Sequence, residues 1–188
     1  MFLRSNPRLR ERLAEITSTG DALVDSHPQL IADLAREISH SIELAPDVPG
    51  LPIRSYNCFE FALGLAGRRE VRLISRHLPS TFCNGDFVQN LVDSMLIPTT
   101  SSSTGALILY RNHAEIAHAG LVSGSRVISK WGTGHLWLHA LLEVPVSYGD
   151  GTSFYAAPSM NDMLNCFIEY ARSREGRELV NSILDFEP

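Results

Sequence analysis

Lysine is almost missing from this 188-residue chain: Lys130 is the only one, and the rest of its 16 basic residues are arginine. On a solvated surface either residue serves, so a lone ammonium on a flexible stem, where a planar guanidinium was refused, marks a position to follow. Cysteine is scarce too. Cys58, Cys83 and Cys166 are odd in number, widely spaced and form no CxxC pair, which excludes a disulfide scaffold and a zinc ribbon. A reducing, cytoplasmic setting is expected. No apolar run approaches the roughly 20 residues of a membrane span, and the opening Met1-Phe2-Leu3-Arg4-Ser5-Asn6-Pro7 carries no signal-peptide pattern. Basic residues are dispersed and the net charge is −5, which excludes nucleic acid as the main partner. No metal or cofactor is expected. What is present in quantity is apolar: 44% hydrophobic residues, enough for the core of one domain.

Periodicity divides the chain. Asn6-Pro7 reads as a cap and a first helical position, with a helix through Leu9, Leu13 and Ile16 stopping at Gly20. A second helix is expected from Ser26-His27-Pro28 to about Leu44, on Leu30, Ile31, Leu34 and Ile38. Pro46, Pro49, Gly50 and Pro52 then break the chain. Residues 1–50 are therefore an N-terminal helical extension, and 51–188 the main domain. Asn57 caps a helix that Gly67 stops, and Phe87, Leu91, Val92 and Met95 mark another. From Gly105 the period falls to two. Strands are expected over 106–110, 116–122, 126–131, 143–148 and 152–156, and helices resume after Ser159. The class is α+β, an antiparallel sheet of about five strands packed against helices.

A thiol attacks as its thiolate, and free cysteine is mostly protonated at neutral pH, with a pKa of about 8.5. Cys58 follows the Asn57 cap, so the helix dipole and its free first-turn amides favour the charged form and a developing oxyanion. Cys83 and Cys166 lack such surroundings and read as small core hydrophobes. Downstream, Ile116-Ala117-His118-Ala119-Gly120-Leu121-Val122 is a strand whose alternation puts Ile116, His118, Gly120 and Val122 on one face. Ala117, Ala119 and Gly120 leave room for a helix end, so His118 is the base expected for Cys58.

This order of elements resembles the papain-like NlpC/P60 superfamily. The carriers are Tyr56-Asn57-Cys58 opening a helix, Gly-Ala-Leu-Ile-Leu-Tyr on a first strand, His-Ala-Gly-Leu-Val on the second, and a further hairpin strand. The likeness covers roughly residues 56–156. It implies a cysteine hydrolase, peptidase, amidase or acyltransferase with Cys58 as nucleophile and His118 as base, acting on a peptide, amide or acyl substrate. The family's usual Asp-Cys-Ser-Gly is here Asn57-Cys58-Phe59-Glu60, a departure that sets the usual cell-wall substrate aside.

In that family a polar residue on the next strand orients the imidazole, and its position falls on Lys130. A charged lysine cannot accept from an imidazole. Hairpin register decides what meets His118: a two-residue turn at Gly124-Ser125 sets Ser129 opposite Gly120 and Trp131 opposite His118, and a three-residue loop brings Lys130 there instead. Lys130 suits a supporting role, holding the 132–134 loop through backbone carbonyls or Glu143. His135 and His139 are further candidates and share a face if their segment is helical. Asn57 and Tyr56 complete the supporting set, and Glu60 is read as structural. Two readings from other classes stand beside the hydrolase. One is a metal-binding protein using His118, His135, His139 and Cys58. The other is a non-catalytic interaction module on the same fold, which leaves room for a protein partner.

Overall fold

The central hairpin sets the sheet. Gly124, at φ +62°, turns the chain in two residues, so Ser123 pairs with Arg126 and Gly120 with Ser129. Around it the computed structural model, which describes residues 6–18, 21–100, 103–157 and 159–186, builds one antiparallel sheet of six strands. The strands are β1 (Glu43–Leu44), β2 (Leu107–Asn112), β3 (Glu115–Ser123), β4 (Arg126–Lys130), β5 (Leu136–His139) and β6 (Gly151–Tyr155). Their order across the sheet is β1-β5-β4-β3-β2-β6. The class is α+β, as the periodicity implied. The expected stop of the first helix at Gly20 lies outside the described residues.

Helices cover both faces, and the alternation of β2 shows how. Leu107 and Leu109 point into one core, Ile108 and Tyr110 into the other. The first core is covered by α3 (Cys58–Ala62), α4 (Arg69–His77), α5 (Gly85–Ser94), α6 (Met160–Glu175) and α7 (Arg177–Asp185). The second is covered by α1 (Pro7–Thr17) and α2 (His27–Leu34), through Leu9, Leu13, Ile16, Ile31 and Leu34. The segment before the proline-rich break thus supplies one layer of the fold and, in β1, one strand of its sheet. Asn6, Asn84 and Ser159 cap α1, α5 and α6 through their side chains. No helix among the described residues is long and apolar enough to cross a membrane.

Four expected elements differ, one being the helix opened at Asn57, which ends at Ala62 and not at Gly67. The second helix ends at Leu34, not near Leu44. His40 folds back onto it, Nε2–H donating to the Ile31 carbonyl while Nδ1 accepts from the Ile42 amide, and Glu43–Leu44 is drawn out to pair with β5. The expected strand at 143–148 is a 3-10 turn over Val146–Tyr148. Pro145 has no amide to give a ladder, and the Glu143 carboxylate accepts from Ser41 and the Ala140 amide. The segment carrying His135 and His139 is not helical: it leads into β5. Positions four apart share a face in a strand as well as in a helix, so their spacing did not discriminate.

Candidate active site

Asn57 places the thiol. Its side-chain oxygen accepts from the amides of Phe59 and Glu60, and the Glu60 carboxylate accepts from the Asn57 amide, a complete capping box. The Asn57 amide group also donates to the Cys83 carbonyl at 2.8 Å, fixing the helix start to the chain before α5. Glu60 therefore has the structural role expected of it. The helix so begun is only five residues long and packs on β3 and β4.

β4 pairs with β3 no further than Gly120–Ser129. Beyond that point Ala119 has no β4 partner, and its amide donates toward the Cys58 sulfur, as do the amides of Cys58 and Phe59. The thiol sits against Ala119, where the ladder would have continued. Burial nonetheless pushes it up to about 12, and Glu60 adds to the rise against those three amides. The lowered thiol pKa expected from a helix start is not what the resting site has. A single turn of helix offers little dipole, and desolvation outweighs the amides.

His118 is reached through a β-bulge. Tyr110 pairs with His118 and Arg111 with Ile116, so Ala117 is an extra residue in β3. The bulge undoes the expected alternation. Ile116 lies in the first core with Cys58 and Ala119, and His118 stands on the other side, paired with Tyr110. Its ring stacks on Tyr148, with centroids 3.9 Å apart and planes within 8°, and tilts against Tyr110 at 5.5 Å. His118 is fully buried, and neither ring nitrogen has a hydrogen-bond partner. Burial, reinforced by His139, drives its pKa well below the usual imidazole value, so at neutral pH it is a neutral base. The helix end that was expected against the His118 face packs instead on the opposite face of β3: Cys58 shares the first core with Ala119, the His118 ring stands on the Tyr110 side, and no hydrogen bond joins thiol and imidazole. Tyr148 stacks on the imidazole, and burial, with a smaller contribution from Cys58, raises the pKa of its phenol.

Ser129, His139 and Trp131 form a separate, closed chain. His139 Nδ1 donates to the Ala140 carbonyl at 2.8 Å, so its Nε2 accepts from the Ser129 hydroxyl, also at 2.8 Å. Ser129 accepts in turn from the Trp131 indole at 3.1 Å. Burial lowers His139 to about 4. Every polar atom in this chain has a partner, and it does not reach the thiol. His135 lies edge-on to Trp137, its Nε2 buried and unpartnered.

Lys130 is fully buried. Its ammonium donates to the carbonyls of Ile53 and Gly134 and lies 4.2 Å over the Tyr56 ring. It joins the segment leading into Cys58 to the loop after β4, the holding role expected of it, though Glu143 takes no part. Burial lowers it to about 8, opposed by Asp47, Cys58 and Glu60. The Tyr56 hydroxyl is buried and faces the Val48 backbone, and burial raises its pKa. Among the described residues, no group of three or more His, Cys, Asp or Glu side chains could hold a metal ion.

Three residues of this neighbourhood went unread in the sequence: Tyr148, Tyr110 and Arg10. The first two fell within expected strands, where a tyrosine is ordinary. Arg10 sat on the buried side of α1 beside Leu9 and Leu13, which is the one signal that could have found it. Compared with known proteins, the chain matches no protein-family model, no curated protein and no solved structure, so its own geometry must carry the function.

Proposed function

We propose that the protein is a cysteine hydrolase or acyltransferase with an NlpC/P60-like core, Cys58 its nucleophile and His118 its base. The observation that supports this reading is the imidazole itself. Leaving a buried polar group without a partner costs about 1–3 kcal/mol, and native proteins rarely leave one so. Here the unpartnered ring stands on a strand re-aimed by a bulge, one residue before Ala119, whose amide faces the buried thiol at a capped helix start. A neutral imidazole is the form that can accept the thiol proton.

The reaction balances without a cofactor. His118 takes the Cys58 proton as sulfur bonds to an acyl carbonyl carbon. The first-turn amides face the developing oxyanion. The amine or alcohol then leaves, taking the proton from the imidazole, and a thioester remains. Water or a second nucleophile releases the acyl group. Free cysteines of this kind suit a reducing, cytoplasmic setting.

The test is p-nitrophenyl acetate followed by intact mass. One acetyl group should appear on Cys58, vanish in Cys58→Ala, and form about a hundredfold more slowly in His118→Gln. Acetylation that His118→Gln leaves at the parental rate overturns the reading.

A further inference from the structure

His118 lacks the hydrogen-bonding partner that ordinarily fixes a catalytic imidazole, yet it is held. Two tyrosines hold it, and both are anchored. Tyr110 donates its hydroxyl to the Leu141 carbonyl at 2.8 Å. The Tyr148 hydroxyl accepts from the Gly132 amide at 3.1 Å. The turn that carries Tyr148 is tied at both ends by one side chain from the opposite end of the chain: Arg10 donates through Nε to the Val144 carbonyl at 3.1 Å, and through Nη2 to the Gly149 carbonyl. Gly149 has φ +79°, and a Cβ there would lie 1.9 Å from the Arg111 carbonyl oxygen. The turn therefore seats directly on β2, and only glycine permits it.

We propose that Tyr148 is the positioning residue of His118: its stacked ring, anchored by Gly132 and by the turn that Arg10 holds, fixes the plane of the imidazole. This rests on the Cys58–His118 reading and assigns it the third member that the sequence did not reveal. Stacking replaces the acceptor. An acceptor would also stabilise the imidazolium, and a tyrosine face sets orientation with far less charge stabilisation. The groups around His118 agree with a base kept neutral: Tyr110 from β2, Tyr148 from the turn, His139 from β5, and, beyond Tyr110, Arg10 from α1, which Asp150 faces in turn. None of the three that meet the ring or act on its charge, Tyr110, Tyr148 and His139, is a carboxylate.

The test compares Tyr148→Phe with Tyr148→Leu in the full chain. Phe keeps the ring and loses the hydroxyl; Leu loses the ring. The first readout is the His118 imidazole titration by NMR, and the second is the pH profile of Cys58 acetylation by p-nitrophenyl acetate. Phe should retain the parental His118 titration and profile. Leu should let the ring rotate and hydrate, moving its titration up toward 6.5 by about one unit or more and displacing the acetylation profile with it. A Leu variant whose His118 titrates as in the parent, or a Phe variant that behaves like Leu, overturns the proposal. If Tyr148→Leu does not fold, Arg10→Met takes its place. It loosens the turn and leaves both rings, and an unmoved His118 titration there counts against the proposal in the same way. Failure of the hydrolase reading looks different: His118→Gln then acetylates like the parent, whatever the Tyr148 variants do to the His118 titration.

Discussion

Two buried histidines on one sheet face have opposite surroundings. His139 and His118 are both fully buried, and burial depresses both imidazoles. His139 spends each nitrogen, one on Ser129 and one on the Ala140 carbonyl; His118 spends neither. Folding alone explains the first arrangement. A buried imidazole with satisfied nitrogens joins β4 to β5 and orders the indole of Trp131 through Ser129. Folding gives no reason for the second, since an apolar side chain would fill the same place without leaving two nitrogens dry. Where a fold accepts such a cost, function is the economical explanation.

Substituting each histidine by leucine should produce the largest contrast. His139→Leu orphans the Ser129 hydroxyl, removes its link to Trp131 and changes shape in a packed core. We expect a loss of about 3–5 kcal/mol in urea unfolding. His118→Leu removes two unpartnered nitrogens and should be neutral or stabilising by about 1 kcal/mol, while Cys58 acetylation disappears. Equal losses in the two variants would make His118 one more structural histidine.

The pH dependence of stability sharpens the same contrast. Both imidazoles are depressed in the folded state and return to about 6.5 when unfolded. Below 6.5 the unfolded chain therefore binds more protons, so stability falls as pH falls. For His139 the loss begins near pH 6.5 and is complete near 4; the depressed His118 adds a loss of the same sign below 6.5. Each contributes a slope of up to about 1.4 kcal/mol per pH unit, or about 2 kcal/mol apiece between pH 6.5 and 5. Urea unfolding at these two pH values should show His118→Leu losing about 2 kcal/mol less than the parent. An unchanged slope would mean that His118 is hydrated.

The partnered half of this comparison was the more legible from sequence. β2 was legible as a short apolar run after Gly105, buried on both faces, and β3, β4 and β6 as short strand-type segments between turn residues; the cap at Asn57 was readable because its partners are two and three residues away. The two-residue turn and the Ser129–Gly120 pairing were one of two registers that the residues allowed. The Ala117 bulge was not legible. One extra residue changes no composition, yet it sends Ile116 and His118 to opposite faces, and only the pairing with β2 reveals it. β1 was hidden for a related reason: two residues carry no period, and β5 alone makes them a strand. The thiol was correctly placed at a helix start, but its pKa depends on burial, which reverses the direction that the helix end and its amides favour.

Lys130 carries the smallest expected effect, because its contributions oppose one another. It stands on the Cys58 side, but like His139 it is fully partnered, by the carbonyls of Ile53 and Gly134 and the face of Tyr56. Lys130→Met strips donors from two carbonyls, at about 1–3 kcal/mol. It also relieves the cost that holds a buried ammonium near 8 instead of about 10.4, roughly 3 kcal/mol. Near pH 7 the Met variant should therefore match the parent within about 1 kcal/mol. The balance shifts in alkali. A lysine depressed on folding makes the folded state gain stability as pH rises from about 8 to 10.4, a gain the Met variant cannot share. Groups raised on folding, Cys58 among them, act in both proteins and cancel in the difference. The parent should thus outrun Lys130→Met in urea unfolding at pH 9.5 by about 2 kcal/mol more than at pH 7. Lys130→Arg gains no such relief and forces a larger, planar group into a full site, costing about 1–3 kcal/mol at either pH. If Arg and Met both match the parent at pH 7 and pH 9.5, Lys130 is a surface residue, and the tie between the two segments flanking the thiol is lost with it.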